Sequence, residues 1–140
     1  MTDWGPVRVL IVDDNQLVVD SLSLRLCQED WIRVVGTLPR ADDIAATVEQ
    51  LGVDVIMLDV DMPGRDPLTV LEELSGSHPA TRTIVLSGHV RSELIDRAVA
   101  GGAWGYLSKT SPTDVVVSSI RRVHEGEFAF GPDELVHRIV

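Results

Sequence analysis

Short apolar runs alternate with amphipathic stretches five times along this chain, and few folds accommodate that order. The first run is Val7–Val12. Leu17 and Val18, then Leu22 and Leu26, follow at helical spacing. Residues 32–36 form a second, shorter run with Arg33 pointing outward. Ile44, Val48 and Leu51 mark one helical face, and residues 55–58 are continuously apolar, as suits a strand covered on both faces. The next helix is expected to start with Asp66 as its N-cap and Pro67 in its first turn. It carries Leu68, Leu71 and Leu74 and is expected to stop before Gly76 and Pro79. Residues 83–86 are the fourth run. Leu94, Ile95, Ala98 and Val99 make a fourth helical face, closed by Gly101 and Gly102. Gly105–Ser108 is the fifth strand and Thr113–His124 the fifth helix. That helix has Asp114 in its first turn and Arg121 and Arg122 in its last, as the helix dipole prefers.

Strand–helix alternation of this kind predicts an α/β fold: a doubly wound, five-stranded parallel sheet with helices on both faces, flavodoxin-like, in the order 2-1-3-4-5. One domain is expected over residues 1–125. Residues 126–140 differ in character, broken by Gly131 and Pro132, with residues 133–139 able to form one or two helical turns. The length of 140 residues allows a real core. The lone Cys27 excludes an internal disulfide and is expected to act as a small buried apolar group. No apolar run reaches the roughly 18 residues of a membrane span. Residues 1–6 lack the basic cluster of a signal peptide, so the expectation is a cytoplasmic protein without a membrane partner. Twenty-two acids against 12 bases give a net charge of −10. Phosphate backbones repel such a surface, which makes the chain alone a poor nucleic-acid binder.

In sheets of this type ligands bind beyond the carboxyl ends of the strands, where the strand order reverses. Polar residues stand there. Asp13 and Asp14 follow the first strand, Asp59 the third, Ser87 ends the fourth and Lys109 the fifth. Strands one and three would be neighbours about 4.8 Å apart, which crowds three carboxylates into one pocket. Such groups repel unless protonated or bridged by a cation. Hard oxygen ligands at a half-open site suit Mg²⁺, and no cluster of His or Cys competes for zinc. A metal, an ammonium and an exposed carboxylate make a phosphoryl-transfer site. Asp59 would be the nucleophile. Lys109 would neutralise charge, the Ser87 hydroxyl would donate to a phosphoryl oxygen, and Gly88 would leave room for the group. Taken singly, an Asp after a strand is usually a turn or cap residue. The conjunction of five such groups carries the reading.

Four segments carry a family resemblance. They are Leu10-Ile11-Val12-Asp13-Asp14-Asn15, Met57-Leu58-Asp59-Val60-Asp61-Met62-Pro63-Gly64, Ser87-Gly88 and Tyr106-Leu107-Ser108-Lys109. Together they resemble the receiver domain of bacterial two-component response regulators, over about residues 7 to 125. The resemblance implies that Asp13 and Asp14 hold Mg²⁺, that Asp59 accepts the phosphoryl group, and that the backbone carbonyl of Asp61 completes the metal site. It implies Ser87 as the switch hydroxyl, Tyr106 as the switch aromatic and Lys109 as the partner of the phosphoryl group. A sensor histidine kinase is the implied donor, and small acyl phosphates substitute for it. Such a domain is not an enzyme acting on an outside substrate; it catalyses its own phosphorylation and dephosphorylation. Phosphorylation would draw Ser87 inward and let Tyr106 rotate into the vacated space, a shift between two states of one fold.

Some positions depart from the pattern. Asp66-Pro67 stands where the family usually has Asp-Gly, and Lys109 is followed by Thr110-Ser111-Pro112 rather than directly by proline. With Gly102-Ala103-Trp104-Gly105-Tyr106 before it, that spacing is similar to receivers of the LuxR/NarL class. Asp61 and His89 are expected to tune the lifetime of the acyl phosphate. Members of that class carry a helix-turn-helix DNA-binding domain after the receiver, and residues 126–140 resemble the start of the linker to it. The expectation is therefore a fragment of a transcription factor that reaches DNA only through a domain beyond this chain, with a homodimer as one arrangement. A stand-alone receiver is the alternative. Two other classes compete: a haloacid-dehalogenase-type phosphatase, through Asp59-Val60-Asp61, and a pseudo-receiver that only docks.

Overall fold

Each expected apolar run becomes a strand whose neighbours cover it. The computed structural model describes residues 5–88 and 91–130. In chain order it has β1 (Val7–Val12), α1 (Gln16–Leu26), β2 (Ile32–Leu38), α2 (Ile44–Leu51), β3 (Val55–Asp59) and α3 (Pro67–Ser77). Then come β4 (Arg82–Ser87), α4 (Ser92–Ala100), β5 (Gly105–Ser108), α5 (Thr113–His124) and β6 (Ala129–Phe130). A 3₁₀ turn, Ala41–Asp43, leads into α2. The sheet is parallel, in the order β2-β1-β3-β4-β5-β6. The expected 2-1-3-4-5 order is present. The sixth strand is an addition to the five expected: two residues are too few to print an alternation.

Strand residues alternate between two cores, as a sheet covered on both faces requires. On one face Val9, Ile11, Met57, Ile84 and Leu107 pack with α1 and α5 through Leu22, Leu26, Ile120 and Val123. On the other, Leu10, Ile56, Leu58, Val85 and Tyr106 pack with α2, α3 and α4 through Ile44, Leu71 and Ile95. Each fully buried aliphatic side chain contributes roughly 1.5–3 kcal/mol from apolar burial. One bulge interrupts the pairing of β1 with β2, where Val9 faces Val34 and Leu10 faces Gly36.

Two of the helices, α1 and α3, start where a short polar side chain accepts the first N–H groups. Asn15 caps α1 and Asp66 caps α3, with Pro67 in the first turn. Three local expectations need correction. Leu17 is 75% exposed rather than inward. The buried stripe of α1 is Val19, Leu22 and Leu26, and two residues turn a helix by about 200°, which puts Leu17 opposite Val19. Cys27 is exposed, because it is the C-cap of α1 and Leu26 takes the inward place. Helix α3 runs through Gly76 to Ser77 and closes with the His78 N–H on the Leu74 carbonyl. Pro79, not Gly76, ends it, since the residue before a proline avoids the helical region. His89 and residues 133–139 lie outside the described residues.

Candidate functional site

The register of the sheet brings the site together. Val12 pairs with Leu58, so Asp13 and Asp59 leave adjacent strands at the same level. The Asp13 N–H bonds the Leu38 carbonyl at 2.9 Å, carrying the β1–β2 ladder one residue further. Asp59 is opposite Leu86 on β4, and Ser87 is opposite Ser108 on β5, one residue before Lys109. The Lys109 N–H donates to the Ser87 carbonyl at 2.8 Å. Beyond it, the Ser108 and Thr110 hydroxyls pair at 2.7 Å and Ser108 Oγ accepts the Thr110 N–H, which stiffens the turn that presents the lysine.

Asp13 and Asp59 are 3% and 1% exposed, whereas Asp14 stands in solvent. Each buried acid has one oxygen held by the backbone two residues on. Asp13 Oδ1 accepts the Asn15 N–H at 2.9 Å, and Asp59 Oδ1 accepts the Asp61 N–H at 3.0 Å. Their Oδ2 atoms have no hydrogen-bond partner of good geometry. They lie 3.0 and 3.2 Å from the Lys109 ammonium as ion pairs. Burial pushes the Asp59 carboxyl above its ordinary value and nearby Asp13 adds to this, while the Asp61 N–H and Lys109 pull the other way. Burial alone would lower Lys109; pairing with Asp13 and Asp59 outweighs it and holds the ammonium above its ordinary value.

One carboxylate oxygen each from Asp13, Asp14 and Asp59 lie within 4.8 Å of one another. Three ionised carboxylates against one ammonium leave two negative charges, which one divalent ion would cancel. Two buried oxygens without hydrogen-bond partners, in an all-oxygen set, fit a hard cation. The cluster could therefore hold a metal.

A family model described as the response regulator receiver domain matches residues 9–121. The chain belongs to this family. The receiver is 34% identical over 126 residues to the transcriptional regulatory protein MctR of Rhizobium johnstonii, spanning 90% of this chain and 59% of that one. It is 31% identical to DesR of Bacillus subtilis, spanning 91% and 63%. It is 33% identical to the response regulator UvrY of Escherichia coli, spanning 86% and 56%. The chain thus spans about three fifths of the length of these relatives. Among solved structures, the receiver domain of NarL from Mycobacterium tuberculosis superposes with a TM-score of 0.83 at 26% identity, over 88% of this chain and 99% of that one. ChrA of a heme-sensing two-component system gives 0.81 at 27%, over 96% and 65%.

The receiver brings together Asp13, Asp14, Asp59 and Lys109 as the sequence predicts. Asp61 is exposed in the loop after β3 and touches the site through its N–H. Ser87 is buried at the end of β4. Tyr106 is fully buried in the core beneath α4, paired in register with Val85 and Phe130. Sequence reasoning missed Asn15. The signal was available: an Asn just before an apolar helical period is an N-cap pattern.

Proposed function

We propose that this receiver accepts a phosphoryl group on Asp59 in a Mg²⁺-dependent reaction and passes the change to an output beyond residue 125. The observation that carries the reading is the convergence of two buried carboxylate oxygens and one ammonium, with Asp14 within reach. Asp13, Asp14, Asp59 and the Asp61 backbone carbonyl would hold the ion. Bound there, Mg²⁺ supplies positive charge to the equatorial phosphoryl oxygens.

The chain's own groups do the rest. A carboxylate oxygen of Asp59 attacks the phosphorus of an N-phosphorylated histidine on a sensor kinase. The O–P bond forms as the P–N bond breaks, and the imidazole leaves and takes a proton from water. Lys109 stays charged and meets an incoming phosphoryl oxygen in place of one carboxylate. The Ser87 hydroxyl donates to another. Water later attacks the same phosphorus and regenerates the Asp59 carboxylate, so the domain catalyses both its loading and its unloading. The switch draws Ser87 toward the new oxygens and lets Tyr106 rotate into the space that it vacates. The output is transcription through a DNA-binding domain outside this chain, in a cytoplasmic protein whose active assembly is a homodimer. Relatives named as transcriptional regulators, of which this chain covers three fifths, support that part. Among the described residues no helix is long and apolar enough to cross a membrane. Residues 126–140 are then the start of the linker.

Intact-mass measurement after incubation with acetyl phosphate tests the reading. The wild-type chain should gain the mass of one phosphoryl group with Mg²⁺ and none without it, and Asp59→Asn should gain none. No gain on the wild type with Mg²⁺ would leave a docking module instead. Turnover of p-nitrophenyl phosphate would point to a phosphatase.

A further inference from the structure

The pocket and the first turn of α1 share one residue. The Asn15 side-chain oxygen accepts the N–H groups of Leu17 at 3.0 Å and Val18 at 3.3 Å. Its carbonyl accepts the Val19 N–H at 3.1 Å. Its own N–H donates to Asp13 Oδ1 at 2.9 Å. Four hydrogen bonds thus fix one residue in an extended conformation between the acids and the helix (φ −88°, ψ 104°). We infer that Asn15 is a positioning residue for the cation pocket, acting through Asp13 and Asp14.

The argument is steric and electrostatic. The two oxygens of Asp13 are chemically alike, and rotation about the last side-chain bond is soft. The Asn15 N–H selects one orientation by holding Oδ1, which leaves Oδ2 facing Lys109 and Asp59. The peptide that carries this N–H joins Asp14 to Asn15, so fixing it also sets where Asp14 starts. Leu17 stands in solvent, while Val18 and Val19 in the same turn pack against the core, so the cap and that packing fix the turn together. Asp59 is treated differently. Its Oδ1 is held by the Asp61 N–H in an exposed loop before α3, with no side-chain cap on the same residue. Both clamps are backbone N–H donors, but only the one on Asp13 belongs to a residue whose side chain also caps a helix.

The inference rests on the proposed metal site. Mg²⁺ affinity of the whole chain is measured by calorimetry for the wild type, Asn15→Ala, Asn15→Ser and Val48→Ala. Asn15→Ala should weaken Mg²⁺ about fivefold, which is a cap of ~1 kcal/mol expressed as an affinity. Asn15→Ser keeps a capping oxygen and should bind within about twofold of the wild type. Val48→Ala trims the buried face of α2 and should lower the melting temperature with Mg²⁺ affinity unchanged. Hydrogen exchange adds a readout of position: Mg²⁺ should slow the Leu17 and Val18 amides in the wild type and not in Asn15→Ala. Wild-type affinity in Asn15→Ala, or an equal loss in Val48→Ala, overturns the role of Asn15 while the metal site stands. A wild type that ignores Mg²⁺ overturns the metal site and this inference with it.

Discussion

Two regions at opposite ends of β5 each hold a half-buried cation, and they treat it in opposite ways. At the carboxyl end, Lys109 lies between two carboxylates whose Oδ2 atoms make no hydrogen bond of good geometry. At the other end, around Trp104 and Gly105, Arg82 is surrounded by groups that suit it. Its Nη1 donates to the Val123 and His124 carbonyls at 2.8 and 3.2 Å, at the negative end of the α5 dipole. Its guanidinium lies 4.4 Å from the centre of the Trp104 ring, and Phe128 stacks on Trp104 at 4.8 Å. Arg122 Nη2 ties down the Phe128 carbonyl at 2.7 Å, and the Ala129 N–H reaches the Trp104 carbonyl at 2.9 Å. Gly105 permits this approach, since a Cβ there would stand 2.8 Å from the Ala129 oxygen. Only Arg82 Nε is buried without an acceptor. Apart from that one nitrogen, the edge cation is matched by carbonyls and a π face. The pocket carries two negative charges in excess of its ammonium. A buried charge that its own fold leaves under-satisfied marks where a ligand completes the structure.

The largest expected effect tests that contrast directly. Lys109→Met keeps the apolar stem and removes the ammonium, leaving Asp13 and Asp59 buried together. Removing one partner of a buried ion pair costs about 3 kcal/mol, and denaturant unfolding without Mg²⁺ should show a loss of that order. Excess Mg²⁺ should recover most of it, because a divalent ion meets the same oxygens. Unchanged stability without Mg²⁺ would mean that the pocket is no more strained than the edge, and the contrast would fail.

A smaller effect sharpens the other side. Phe128→Ala removes the stacked partner of Trp104 but little buried area, since Phe128 is 58% exposed. The loss should be about 1 kcal/mol, the worth of an aromatic pair. Trp104 fluorescence should shift, and Mg²⁺ affinity should stay at the wild-type value. A fall in affinity would show that the edge and the pocket act as one unit.

The pocket was far more legible in the sequence than the edge, and the reason is physical. Asp13, Asp14, Asp59, Ser87 and Lys109 each stand next to a strong apolar run, so strand ends locate them, and parallel order brings those ends together. The edge rests on Arg82, Trp104 and the segment of Phe128 with its two-residue strand, from three places in the chain with no shared period to announce them. Leu17 and Cys27 were misread because burial of a helix face is decided by a phase of tens of degrees, which a four-residue apolar pattern does not fix.

Between the two regions, one exposed ion pair shows what a charge contact contributes when water reaches it. Arg97 on α4 meets Asp66, the cap of α3, at 2.7 Å, and both side chains are about half exposed. The Arg97 guanidinium holds the Asp66 carboxyl below its ordinary value of 3.8, with partial burial opposing it and the Thr69 hydroxyl assisting. A carboxyl lowered in the folded state adds stability that is complete above the unfolded value. That stability fades as pH falls through the folded value, where both states take up the proton. Arg97→Ala should therefore be less stable than the wild type at neutral pH by about 0.5 kcal/mol, and the gap should narrow as pH drops below 3.8. Added salt should shrink it too, since the pair is in solvent. Urea unfolding of both proteins across that range measures it. A gap as large as that of Lys109→Met, or one that widens in acid, would mean that exposure does not separate this pair from the pocket. The contrast would then have to rest on geometry alone.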